Sequence, residues 1–162
     1  NDAVMDIASS LIDENISILH LVGAGNSKLI EGVDSIRYKQ IPYLAEMESA
    51  YLAADFVISR AGAGTCAEIE AMGLPAIFIP LSIGNGEQVA NAEKYLNRGS
   101  AKLILNDNLT SSNLLTAILE ICRSYDQFSK VAETNRNTKL SAASDFVDLI
   151  NKNILNSLKG VN

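Results

Sequence analysis

Two short stretches hold the residues whose types and spacing could do chemistry. The first runs Arg60-Ala61-Gly62-Ala63-Gly64-Thr65 and continues through Cys66 and Ala67 to Glu68. Glycines let backbone N–H groups approach a ligand closely, and a helix start carries partial positive charge. Together they suit a phosphate or diphosphate. A tight strand-to-helix turn with no ligand fits the same residues, because Gly-x-Gly alone is a common pattern. Thr65 could cap the helix or donate its hydroxyl to a phosphate oxygen. Glu68 stands three residues later, the spacing of a Thr-x-x-Glu capping box. Its carboxylate could instead accept from the two vicinal hydroxyls of a ribose, one proton to each oxygen. Spacing by itself favours the cap. Glu70, two positions on, should face elsewhere and be solvated.

The second stretch is "SIGNGEQVANA", residues 82–92, with Asn85, Glu87, Gln88 and Asn91 within seven positions. Amides and carboxylates pair with sugar hydroxyls as donors or acceptors. Taken singly, each of these residues fits an ordinary polar loop and helix start. Their density favours binding only if the loop lies at a ligand-bearing edge.

The elements that must position these stretches follow from periodicity. "NDAVMDIASSLIDE" puts Val4, Ile7, Ala8, Leu11 and Ile12 on one helical face. "ISILHLV" (16–22) is a continuous apolar run, the pattern of a strand buried on both faces. "SIRYKQI" (35–41) reads as a strand and "PYLAEMESAYLAA" (42–54) as a helix opened by Pro42. "DFVIS" (55–59) is a strand that runs into the glycine turn. A helix over 65–72 stops at Gly73, with Pro75 just beyond. "AIFIPL" (76–81) is a strand, 88–98 a helix closed by Gly99, and "AKLIL" (101–105) a strand. Helices follow over 110–125, with Thr110 as N-cap, and over about 142–158, with Phe146, Leu149, Ile150, Ile154, Leu155 and Leu158 in step.

Alternating strands and helices predict an α/β fold, a Rossmann-like parallel sheet with helices on both faces. Ligands of such sheets bind beyond the carboxyl ends of the strands. Three glycine-containing loops, 23–27, 60–64 and 82–87, fall at that edge. A crossover helix at the start of the chain implies an earlier strand, with its own glycine-rich loop, between "ISILHLV" and "DFVIS". Without it the 162 residues alone are not expected to be a well-folded monomer.

The formal net charge is −6 and the basic residues are scattered, which argues against a nucleic-acid partner. Cys66 and Cys122 lie far apart, with no CxxC and no nearby histidine, so neither a disulfide framework nor a zinc site is indicated. A reducing cytoplasmic setting suits such thiols. No apolar run reaches the roughly 18 residues that cross a bilayer. His20, the single histidine, ends an apolar run and reads as structural.

"DFVISRAGAGTCAEIEAMGLPAIFIPL", the "GNGEQVANA" loop, "HLVGAG" at 20–25 and "YLAEMESAYLAADFVISRAGAGT" at 43–65 closely resemble the C-terminal domain of the MurG family. These bacterial transferases move N-acetylglucosamine from UDP-GlcNAc to lipid I, making lipid II for peptidoglycan. The resemblance covers nearly the whole chain and rests on a RAG, Glu, GLP, Gln, NA series. It implies the C-terminal half of a GT-B glycosyltransferase, an inverting hexosyltransferase with its first strand absent from this sequence. Residues 1–162 would form the donor-nucleotide domain. The acceptor domain and the catalytic base would lie outside the chain, which alone would be inactive. Tyr43 and the backbone of Leu44 would meet uracil. Ala63, Gly64 and Thr65 would lie at the diphosphate, and Glu68 would hold the ribose diol. Glu87 and Gln88 would contact the GlcNAc hydroxyls. No metal and no cofactor are implied. The partners would be UDP-N-acetylglucosamine, the lipid I acceptor and the cytoplasmic face of the membrane. Another UDP-sugar transferase or epimerase, or a nucleotide-binding module without catalysis, remains the alternative.

Overall fold

The strand Ala76–Phe78 (β4) explains the architecture. Every residue from Pro75 to Pro80 is buried, and the strand lies between two parallel neighbours, Val57–Ser59 (β3) and Ala101–Leu103 (β5). Side chains on a strand alternate between faces. Ile77 and Ile79 therefore join one core and Ala76 and Phe78 the other. The first core is closed by Ile7 and Leu11 from the start of the chain and by Leu114, Ile118 and Ile121 of the helix Ser111–Arg123. The second is closed by Tyr51, Cys66, Ile69, Ala92 and Tyr95. A continuous apolar run is what a strand covered on both faces requires. The parallel sheet with helices on both faces is thus observed. This is a computed structural model, and it describes residues 1–82, 85–136 and Val147.

In chain order the remaining elements are α1 (Asp2–Asp6), α2 (Ala8–Asp13), β1 (Ile18–Leu21), β2 (Tyr38–Ile41) and α3 (Met47–Ala53). Then α4 (Ala63–Met72) joins β3 to β4, and α5 (Glu87–Asn97) joins β4 to β5. A 3₁₀ turn (Asn106–Asn108) leads to α6, the helix Ser111–Arg123, and residues 125–136 are again helical. Gly73 ends α4 in the left-handed region, φ 69°, and its N–H and that of Leu74 bond back to the Glu70 and Ile69 carbonyls. That is the Gly-based C-cap the sequence signals. Thr110 caps α6 as expected, its Oγ1 accepting from the Asn113 N–H at 3.1 Å.

Four expectations need correction. The first helix is broken at Ile7 (φ −103°, ψ 2°), although Ile7, Ala8 and Leu11 are buried together as its periodicity requires. The helix drawn over 42–54 begins only at Met47. Residues 42–46 are the link that a strand-to-helix connection needs, and Pro42 follows β2 directly. β1 is not buried on both faces: Leu19 is 46% exposed, and among the described residues the strand pairs only with β2. Glu70 is buried rather than solvated, for a reason given below. β1 and β3 are not hydrogen-bonded, as the missing-neighbour argument expects. The strands form a pair, β1-β2, and a triplet, β3-β4-β5. Ile18, Phe56 and Ile58 nonetheless pack against the same core. The helix expected over 142–158 lies outside the described residues, apart from Val147.

Candidate functional site

β3 ends at Ser59, and the chain reaches α4 in three residues. Gly62 is the N-cap, in extended geometry, and its carbonyl accepts the first helical bond from Cys66 at 2.9 Å. The N–H groups of Ala63, Gly64 and Thr65 precede that bond and have no intrahelical acceptor. Ala63 and Gly64 are exposed. A Cβ built on Gly64 would meet nothing within 4 Å, so the glycine is not required by packing. The turn is therefore open toward solvent at the carboxyl edge of the sheet.

This geometry disposes of the capping box. Thr65 is the third residue of α4 rather than its N-cap, and no side chain caps the helix. Glu68 lies one turn further along, exposed, and its Oε2 accepts a hydrogen bond from the Tyr51 hydroxyl at 2.9 Å. Tyr51, on α3, is 7% exposed. Burial and the adjacent carboxylate push its phenol up to about 12. Nothing in residue spacing links α3 to α4. Only the strand–helix order makes them neighbours, so Tyr51 went unnoticed in sequence.

Three further side chains fix the turn and its surroundings. Asn91 Nδ2 donates to the Ala61 carbonyl at 3.1 Å, tying α5 to the glycine turn. Gln88 Oε1 accepts from the Leu81 N–H at 3.0 Å and holds the loop after β4. Arg60 Nη1 donates to the Ile79 carbonyl at 2.9 Å and to Asn106 Oδ1 at 2.8 Å, joining the ends of β3, β4 and β5. Glu87 is the exposed first residue of α5. Its charge suits a helix N-terminus.

Glu70 locks the two helices together behind the site. Its side chain is 2% exposed and accepts from Arg98 at 2.8 Å, Lys94 at 3.4 Å and the Tyr95 hydroxyl at 3.3 Å. Tyr95 also reaches the Cys66 carbonyl at 3.1 Å. A carboxylate is buried only when paired in this way. The run of α4 toward Gly73 turns Glu70 to the α5 side, while Glu68 faces α3.

The structure thus brings Ala63, Gly64, Thr65 and Glu68 onto one helix start and places Glu87 and Gln88 at the start of its neighbour. Tyr43 and Leu44 follow β2, in the separate strand pair, and Tyr43 is 77% exposed. No hydrogen bond among the described residues connects them to the turn. His20 is held as a structural residue: Nδ1 lies 2.8 Å from the Tyr38 hydroxyl and Nε2 3.2 Å from Asn1 Oδ1. Burial lowers its pKa. A cavity of about 520 Å³ lies elsewhere, between β5 and α6. Among the described residues no group of His, Cys, Asp or Glu could hold a metal ion, and no helix is long and apolar enough to cross a membrane.

Residues 1–150 match the glycosyltransferase family 28 C-terminal domain. A relative from Thermobifida fusca is 38% identical over 135 residues, which is 82% of this chain and 36% of that protein. It is named UDP-N-acetylglucosamine--N-acetylmuramyl-(pentapeptide) pyrophosphoryl-undecaprenol N-acetylglucosamine transferase. A Mycobacterium ulcerans protein of the same name is 43% identical over 115 residues, 68% of this chain and 29% of that one. The chain therefore spans about a third of the length of these relatives. Among solved structures, Acinetobacter baumannii MurG superposes with TM-score 0.68 at 24% identity, over 84% of this chain and 42% of that one. The glycotransferase of kitacinnamycin superposes with TM-score 0.73 at 18% identity, over 91% and 38%. At these identities the likeness establishes the fold, that of the C-terminal half of GT-B glycosyltransferases.

Proposed function

The chain belongs to the glycosyltransferase family 28 C-terminal domain family, and on that premise we propose that it binds UDP-N-acetylglucosamine as the donor domain of a hexosyltransferase. The acceptor is lipid I and the product lipid II, the reaction named for its relatives. The observation that carries the reading is the open start of α4, with three N–H groups ahead of its first helical bond and Glu68 one turn beyond. The diphosphate sits on the N–H groups of Ala63, Gly64 and Thr65, with the Thr65 hydroxyl beside it. Glu68 accepts from the ribose diol. Tyr43 and the Leu44 backbone meet uracil, and Glu87 and Gln88 meet the sugar.

The acceptor hydroxyl displaces UDP at the anomeric carbon with inversion. Backbone N–H groups stabilise the charge growing on the leaving diphosphate, a device that requires no rearrangement during the step. The group that deprotonates the acceptor belongs to the acceptor-binding half of the full-length enzyme, which works at the cytoplasmic face of the membrane. A parallel strand between β1 and β3 completes the sheet in that protein. The two strands pack on one core without pairing, which supports it.

Glu68→Gln is the direct test of the ribose role. It should weaken UDP-GlcNAc binding by about 1–3 kcal/mol, the cost of impairing a hydrogen bond to a charged group. The melting temperature should stay unchanged, because no cap is lost. The sugar of dTDP lacks the 2′-hydroxyl that UDP offers to a carboxylate. Wild-type protein should accordingly prefer UDP to dTDP in competition binding, and Glu68→Gln should narrow the preference. Equal affinity for UDP in wild type and variant would remove Glu68 from the site.

A further inference from the structure

We propose that Tyr51 is a positioning residue for nucleotide recognition, its hydroxyl holding the Glu68 carboxylate in the orientation that accepts a ribose diol. The proposal rests on the donor-site reading above and extends it to a residue that touches no ligand. The geometry is specific. Tyr51 comes from α3 and its ring is anchored in the core formed by Ala61, Cys66, Ile69 and Phe78. Its hydroxyl emerges beside α4 and donates to Glu68 Oε2 at 2.9 Å. A buried ring cannot follow a mobile carboxylate, so the carboxylate is held by the ring. Glu68 is exposed, and without this bond a glutamate on a helix surface samples several rotamers. With Oε2 engaged, Oε1 and the second lone pair of Oε2 remain for two incoming hydroxyls.

The choice of partner matters chemically. Among the described residues neither Lys nor Arg pairs with Glu68. The nearby cations Lys94 and Arg98 are committed to Glu70 on the other side of α4. A guanidinium would neutralise Glu68 and compete for its lone pairs. A neutral phenol orients the carboxylate and leaves its charge available. The phenol stays protonated far above neutral pH, since burial raises its pKa to about 12. It is therefore a donor throughout the range in which the protein works.

Tyr51→Phe removes the hydroxyl and keeps the ring. In the full-length protein, UDP affinity measured by calorimetry should fall about 3- to 10-fold, the worth of one neutral-donor hydrogen bond. The donor KM should rise in proportion with kcat unchanged. The loss should vanish when 2′-deoxy-UDP is the probe, because that sugar offers no diol to orient. Combining Tyr51→Phe with Glu68→Ala should add nothing to the loss caused by Glu68→Ala alone. If Glu68→Ala weakens UDP while Tyr51→Phe binds as wild type, the positioning role is overturned and the ribose reading stands. If Glu68→Ala itself leaves UDP binding unchanged, both fall. A Tyr51→Phe protein that loses UDP and 2′-deoxy-UDP equally would also overturn the proposal, since that pattern marks a general packing defect.

Discussion

β1 and β4 are both short apolar strands, yet they end in opposite environments. β4 has a parallel neighbour on each side and a helical layer on each face, and Ile77 and Phe78 are fully buried. Among the described residues β1 has one neighbour, and Leu19 remains 46% exposed. The apolar character of a strand therefore states what it can bury, and its neighbours decide what it does bury. The same contrast divides the candidate site. The glycine turn proposed to hold the diphosphate, Glu68 and the start of α5 are cross-braced by Asn91, Tyr51, Gln88 and Arg60. Tyr43 and Leu44 sit after β2, where Gln40 exchanges hydrogen bonds with the Lys28 backbone at 2.9 and 2.8 Å, a brace that among the described residues does not reach the glycine turn. The proposed phosphate and ribose half is held by side chains from α3 and α5, and the proposed base-binding half rests on a strand pair that is not hydrogen-bonded to the β3-β4-β5 sheet.

The largest expected difference between the two regions is in core truncation. Phe78→Ala should cost about 3–5 kcal/mol of unfolding free energy, since it empties space between α4 and α5. Leu19→Ala, on the half-exposed strand, should cost less than about 1 kcal/mol. Urea denaturation of the two variants checks this, and equal costs would erase the contrast. Next comes the clamp behind the site. Glu70→Ala leaves Arg98, Lys94 and the Tyr95 hydroxyl without their shared acceptor. Both cations are about half exposed and can be rehydrated. The loss should thus be about 1–3 kcal/mol, below that of a fully buried pair. Hydrogen exchange should show it as faster opening of α4 and α5, with β1 and β2 unaffected.

A smaller effect is expected from pH. Burial first, and for Tyr51 and Tyr95 a neighbouring carboxylate as well, raises the phenols of Tyr38, Tyr51 and Tyr95 above their ordinary value near 10. The fold therefore prefers the protonated phenols. Their contribution is complete below pH 10 and is lost as pH rises, for Tyr51 through about 12. The urea midpoint should fall between pH 9 and pH 11 in wild type, and by less in Tyr51→Phe. An identical fall in both would mean that Tyr51 titrates as it does in the unfolded chain.

Much of this frame was legible in sequence because local rules agreed with tertiary ones. Gly73, Thr110 and the apolar run at 76–80 each specify a feature by their own chemistry, and each feature is present. The parts that were not legible depend on pairing across the fold. Thr65 and Glu68 have the spacing of a cap, but the helix begins two residues before Thr65, because the extended Gly62 ends the turn first. Glu70 carries a charge that reads as solvated until α5 brings Arg98, Lys94 and Tyr95 to it. Tyr51 and Glu68 are 17 residues apart and meet only because α3 and α4 pack side by side.

The central claim, that the turn before α4 is the diphosphate site, is tested most directly at Gly64. The backbone there is helical and a side chain has open space, so Gly64→Val should fold normally. The added methyl groups would stand where the diphosphate must approach the backbone. Calorimetric titration of the full-length variant should show UDP and UDP-GlcNAc affinity reduced together by at least about 30-fold, or 2 kcal/mol, with an unchanged melting temperature. Wild-type affinity for UDP in that variant would contradict the assignment.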